Sequence, residues 1–402
     1  MVNVSFMLPW LELSVHRWAS IGFILALAAT TGSVPLAWSY ATGNYSWTVA
    51  VSDDGGYVIA GSDDMHTYFF KTDASQSAPT WIHSAQGYVR HVAISSNGTS
   101  AVSSDTAGNI YYFRQEASGN PVWSFHTRSS IDAIEISDDG HRIAAGDREG
   151  GIFVFDPLQS GSPIWSSTIP GGILALSLFG SNALAVTSAK GGIYFYDLAF
   201  PQSGYTWSFQ EAISFPQLET SEDAGRVIAG GSDGNVYLIS AAGQVVDIER
   251  LGGSVSAISI SHQAGWLIAG SANGNVSRYL VTGKLERLDS FIAVRPITSV
   301  VVSNDGERIS VVNLDGKIFT FRQTLTDSLW TFSVGGIVHS LSMSEDGRVM
   351  AAASDTGNIY LFLEGKSMPV VEPFPAICYV PIVLIPLFIG YLVLRSRMKK
   401  TP

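Results

Sequence analysis

Catalysis or metal binding needs donors gathered at workable spacing, so the ionisable side chains come first. The 402-residue chain holds eight histidines, His16, His66, His83, His91, His126, His141, His262 and His339. No two of them stand at metal-ligand spacing, and there is no His-Glu-x-x-His and no Gly-x-Ser-x-Gly. The single cysteine is Cys378. Asp53-Asp54 and Asp138-Asp139 are adjacent acids that suit calcium, but each pair precedes a glycine, where aspartate's expected work is to form a turn. No catalytic residue, metal ligand or cofactor contact is assigned. What remains is a scattered mixed-charge set, and its meaning depends on the elements that carry it.

Those elements repeat. Trp38, Trp81, Trp123, Trp165 and Trp207 stand 43, 42, 42 and 42 residues apart, and Trp330 follows 123 residues on, three steps of 41. A period near 42 is one structural unit copied many times. The stretch 131–172 shows its content. Ile131 to Ile136 alternates as a strand with one more apolar face, and Ser137-Asp138-Asp139-Gly140 makes a tight turn. Arg142 to Gly146 is a second strand of small residues, Ile152 to Phe155 a third of aromatic and β-branched ones, and Ile164-Trp165-Ser166 a fourth. Four short strands per unit predict an all-β β-propeller of antiparallel blades. First-turn glycines at Gly55, Gly98, Gly140, Gly180, Gly225, Gly265, Gly306 and Gly347 give eight blades, or seven if the irregular fourth unit is miscounted. The last unit lacks a fourth strand after Leu363, while Leu36 to Tyr40 is a strand without a blade. Pairing the two closes the ring and leaves no edge open there.

The segments Gly108-Asn109-Ile110-Tyr111 with Gly119 to Phe125, and Asp315 to Phe319 with Leu329 to Phe332, resemble the repeats of pyrroloquinoline-quinone-type propellers. Ile136 to Gly140 followed by Ile143 to Gly146 is similar to WD-repeat proteins. The resemblance covers residues 36–366 and implies the eight-bladed fold. The Trp-Asp dipeptide of WD repeats is missing, and so are the adjacent cysteines that quinone dehydrogenases of this fold carry. The resemblance therefore points toward non-catalytic relatives such as bacterial outer-membrane assembly lipoproteins, although their acylated N-terminal cysteine is absent. A quinone-dependent oxidoreductase and an envelope-protein assembly factor are the alternatives to a binding scaffold.

In such a ring, loops entering the first strand and loops joining the second to the third gather on one rim. They bring together Arg90, His91, Arg128, Asp132, Arg295 and His339, with Asp63, Asp64, Asp147, Arg148, Glu149 and Lys190. This rim is the candidate site for a protein or glycan partner; the alternative is a set of solvated loop charges. Counting from the repeat glycine also places Asp247 and Arg287 where other blades have tryptophan, which marks blades five and six as a distinct outer face.

Residues 374–394 hold no charge and are long enough to span a bilayer, and Arg395, Arg397, Lys399 and Lys400 follow. This predicts a transmembrane helix after a short stalk at 367–373, with a basic cytoplasmic tail at 395–402. Residues 1–35 read as a cleaved signal peptide or, alternatively, an uncleaved signal anchor. The propeller is thus expected outside the cytoplasm, with Asn44, Asn97 and Asn275 as glycosylation acceptors. Setting aside Glu12, Arg17 and the four tail cations leaves 18 positive and 33 negative residues, about −15. That balance argues against nucleic acid as a partner. Other envelope or surface proteins, or glycans, are the expected ones.

Overall fold

The computed structural model describes residues 34–364, apart from 74, 200–203, 222–224, 262 and 264. The expected signal segment, stalk, transmembrane helix and tail lie outside the described residues. So do His16, His262 and Cys378. Among the described residues no helix is long and apolar enough to cross a membrane.

Eight four-stranded antiparallel sheets form the structure. Blades one to seven take consecutive strands from 46–84, 89–126, 131–168, 173–209, 217–250, 255–292 and 297–333. Blade eight combines Val338–Met343, Val349–Ser354 and Asn358–Leu363 with the chain-leading strand Leu36–Ala41. That leading strand pairs antiparallel with Asn358–Leu363, with Trp38 opposite Leu361 and Tyr40 opposite Ile359. The expected closure is present, and eight rather than seven is the count.

Side-chain size follows the wedge shape of a blade. Second strands are built from small residues, such as Ile143-Ala144-Ala145-Gly146, and every residue of that strand is buried. Third strands carry aromatics farther out, where neighbouring blades diverge and more volume must be filled. At Gly61, Gly146, Gly230 and Gly270 a Cβ would come within 2.6, 2.5, 2.5 and 2.5 Å of Val89, Ile173, Val255 and Ile297, the first residues of the next blade's inner strand. Glycine there lets successive blades approach. Eight apolar clusters result, one at each seam between neighbouring blades. The seam between blades eight and one joins Trp38 and Leu361 to Val58 and Phe70.

The acid pairs at the first turns are structural, as the sequence suggested. Ser52 Oγ donates to Asp54 Oδ1 and Ser137 Oγ to Asp139 Oδ1, each at 2.6 Å. The same carboxylates accept backbone N–H groups from Gly56 and His141. Asp53 instead reaches across to blade two, where Ser96 Oγ donates to it at 2.5 Å.

Candidate functional site

Inner strands line the central channel, and in seven of the eight blades that strand carries a one-residue bulge near its start. The bulged residues are Trp47, Arg90, Asp132, Leu174, Ser256, Thr298 and His339. A bulge re-aims a side chain out of the ladder's alternation. These seven residues therefore form a recurring set at the start of the channel wall. Sequence reading found three of the set, Arg90, Asp132 and His339, as scattered charges and missed the shared register. The signal was available, since the residues recur about every 42 positions like the tryptophans.

Several of the expected rim charges already have partners. The Arg90 guanidinium grips Asp63 through two bonds, Nε to Oδ1 at 3.2 Å and Nη2 to Oδ2 at 3.0 Å. It also lies 4.0 Å from the centre of the Trp47 ring. Trp47 is stacked with His339, ring centres 3.9 Å apart. The His339–Trp47–Arg90 group thus ties blades eight, one and two together at the point where the ring closes. Arg148 pairs with Asp132 at 3.0 and 3.1 Å. Arg295 pairs with Asp315 at 3.1 Å. Asp147 is buried and holds the N–H groups of Glu149 and Gly151. His91 is not a rim cation, because burial pushes its imidazole down to about 4 and leaves it neutral at neutral pH. Arg128 and Lys190 are exposed and make no ion pair among the described residues.

What the rim exposes instead is apolar surface held in unusual backbone. At the turn between second and third strands, seven blades place a glycine with positive φ: Gly108, Gly150, Gly191, Gly234, Gly274, Gly316 and Gly357. Blade one places Met65 there, at φ 66°, with the side chain well exposed. In the loop leading to blade seven, Val294 adopts φ 67° where the loops before blades six and eight use Gly252 and Gly335. Val294 is 83% exposed. A non-glycine residue in this region is strained, and a β-branched one is a genuine outlier. Exposed Tyr45 and Tyr88 accompany Met65, and exposed Ile292 and Leu314 accompany Val294.

Deeper in the channel, Glu135 and Glu219 occupy equivalent places on the inner strands of blades three and five. Glu135 Oε2 accepts the Leu178 N–H at 2.7 Å. Burial, then the nearby Glu219 charge, pushes Glu135 well above the usual carboxylate range. Burial alone pushes Glu219 up to about 7. Among the described residues no three His, Cys, Asp or Glu cluster as a metal site.

The family model described as outer membrane protein assembly factor BamB, PQQ_2, matches residues 106–362. The chain belongs to this family. A comparison with curated proteins finds no match. Solved structures share the fold. Sqt1 of Saccharomyces cerevisiae is 15% identical with TM-score 0.71, over 83% of this chain and 99% of that one. BamB from Moraxella catarrhalis is 17% identical with TM-score 0.66, over 82% and 99%. Sqt1 of Chaetomium thermophilum, solved bound to the N-terminus of ribosomal protein L10, is 16% identical with TM-score 0.69, over 80% and 97%.

The tryptophan register holds with one correction. Trp81, Trp123, Trp165, Trp207 and Trp330 all sit opposite the same position of the third strand, and Asp247 opposite Leu238 shares it. In blade six, however, that place belongs to Asp289, opposite Arg278, and not to Arg287, because the hairpin from Tyr279 to Arg287 is two residues longer than the equivalent one from Ile239 to Val245 in blade five. Of the candidate glycosylation residues, Asn44 and Asn97 are exposed on turns. Asn275 is half-buried, and its amide donates to the Leu251 carbonyl at 3.1 Å.

Proposed function

We propose that this protein is a non-catalytic scaffold, of the assembly-factor kind, that docks a protein partner on the rim carrying Met65 and Val294. The supporting observation is the strain at these two residues. Glycine would serve both turns without cost, as it does in the sister blades, yet exposed apolar side chains stand there. Family membership supports an assembly role, and the neighbouring Sqt1 structure bound to a ribosomal-protein terminus supports protein recognition on this fold. The charges beside the apolar residues are neutralised in pairs, so recognition rests on aromatic and aliphatic contact with a polar surround. The setting we propose is extracytoplasmic, with the apolar stretch 374–394 as anchor.

The test is the double variant Met65→Gly and Val294→Gly in the full chain. It relieves strain, so stability should hold or gain up to about 1 kcal/mol per site, and the melting temperature should hold or rise. Affinity purification from native membranes should recover a defined protein with the parent and lose most of it with the variant. Equal recovery rejects the rim, and capture of glycan without protein rejects the protein reading. Protease added to intact cells should cleave the propeller, and full protection would place it on the other side of the membrane.

A further inference from the structure

Blade four departs from its sisters where the first strand turns into the second. The position that closes this hairpin is serine in the seven other blades, Ser52 and Ser137 among them, and Phe179 in blade four. Opposite it stands Ala183, where the sister blades include Tyr57, Trp266 and three arginines, Arg142, Arg226 and Arg308. The turn is also one residue shorter, four steps from Phe179 to Ala183 against five from Ser52 to Tyr57. A small side chain and a short turn leave space. A cavity of about 390 Å³ results, lined by Phe179, Asn182, Ala183, Phe195, Asp197 and Thr206. Its volume and its few polar groups among apolar ones suit a ligand site.

Blade three shows what the same place holds elsewhere. Asp197 lies opposite Ala183 on the third strand. Its counterpart in blade three is Asp156, the residue after Phe155, which faces Ile143. Arg142 precedes Ile143, and its guanidinium comes within 3.8 Å of the Asp156 carboxylate. Blade four keeps the acid and lacks the arginine. Asp197 is half-buried and makes no ion pair among the described residues. Its Oδ1 accepts the Ala199 N–H at 2.9 Å, and Oδ2 accepts no hydrogen bond among those residues. A half-buried carboxylate beside apolar walls draws a cation, and a guanidinium suits this one best. It is planar, pairs with a carboxylate through two N–H groups and lies well against aromatic rings.

We propose that this cavity receives an arginine side chain of a partner polypeptide, in the place that Arg142 fills in blade three. The guanidinium pairs with Asp197, the stem lies along Phe179 and Phe195, and the exposed Asn182 amide at the mouth meets the adjoining peptide group. The first-turn end of blade four is opposite the rim of Met65 and Val294, so this site stands without that rim.

The experiment titrates the full chain in detergent with labelled acetyl-Gly-Arg-Gly-amide and with its citrulline twin, which has the same shape and no charge. Saturable binding of the arginine peptide is expected, with the twin at least about tenfold weaker. Asp197→Asn should weaken the arginine peptide by a similar factor and keep the parent's melting temperature, since its side-chain oxygen still accepts the Ala199 N–H. Ala183→Arg should rebuild the pair of blade three, so it should hold or raise the melting temperature and abolish binding. The Met65→Gly and Val294→Gly variant should bind the peptide as the parent does, which separates this site from the rim. Absent saturable binding, equal binding by the twin or by Asp197→Asn, or retained binding by Ala183→Arg each overturns the proposal. So does a marked fall in melting temperature for Ala183→Arg, which would show that the cavity does not take an arginine. Ethylguanidinium binding as tightly as the peptide overturns it too, in favour of a small guanidinium compound.

Discussion

Two side chains in the channel wall work against each other as pH changes. Folding raises Glu219 from 4.5 to about 7 and lowers His91 from 6.5 to about 4, in both cases chiefly by burial. A raised carboxyl keeps its proton in the folded state, so its contribution to stability is complete below pH 4.5 and falls as pH climbs toward 7. A depressed imidazole is held neutral by folding, so its contribution is complete above pH 6.5 and falls as pH drops toward 4. Between these limits the slopes oppose each other, each carrying up to about 3 kcal/mol. Glu135, also raised, adds to the first slope, and His83 and His339, both lowered by burial, add to the second. Urea midpoints measured from pH 4 to 8 should therefore rise more steeply with pH in Glu219→Gln than in the parent. In His91→Gln they should lean the other way. Parallel profiles for the parent and both variants would contradict the assignment. None of this was legible in the sequence, where Glu219 carries no mark and His91 reads as one loop histidine among several. Burial in a shared channel is a property of the closed ring.

At the level of the element, the outer strand of blade six shows how one position accepts two chemistries. Where six other blades place tryptophan, Asp289 pairs with Arg278 through Nε at 3.1 Å and Nη2 at 2.5 Å. Arg278 is buried, and its guanidinium lies 4.4 Å from the Trp266 ring centre. Removing one partner strands a buried charge, so Asp289→Ala should cost about 3–5 kcal/mol. Arg278→Met with Asp289→Leu should cost far less, because two apolar groups of similar bulk leave nothing unpaired. Thermal denaturation of the single and double variants checks this, and an equal loss in both would show that the pair acts by packing alone. The fixed count from the repeat glycine reached Arg287 because the hairpin of blade six is two residues longer than that of blade five, a local insertion that periodicity does not register. The same blindness hid the bulged inner-strand set of Trp47, Arg90 and His339.

Across the whole molecule, one strand holds the ring shut. Leu36–Ala41 is separated from Asn358–Leu363 by the length of the propeller, yet the two are paired and Leu363 N–H donates to the Pro35 carbonyl at 2.8 Å. The His339–Trp47–Arg90 stack spans the same closure on the rim side. A permuted chain that joins Glu364 to Pro35 by a short loop, and opens between Ala41 and Ser46, keeps every strand pair. It loses the covalent link across the seam between blades eight and one. It should fold to the same ring with a lower melting temperature, because that seam then rests on non-covalent contacts alone. Deleting 35–41 instead should leave the edge of Asn358–Leu363 open and produce aggregation on heating. Unchanged melting and solubility in both would show that closure contributes little.

The sequence by itself determined the repeat, the blade count, the strand order within a blade and the closing partner. All of these follow from local periodicity: strands need alternation, turns need glycine and aspartate, and a copied unit repeats both. The tertiary structure alone decided which charges are free. Arg90, Asp132 and Arg295 read as open rim contacts, but ring geometry brings each beside an opposite charge, two of them on a neighbouring turn. It also decided where apolar surface stays exposed, since Met65, Val294, Ile248 and Leu288 look ordinary until the seams are filled without them. Periodicity records what every blade shares, and the features that set this protein apart sit where one blade departs from the rest.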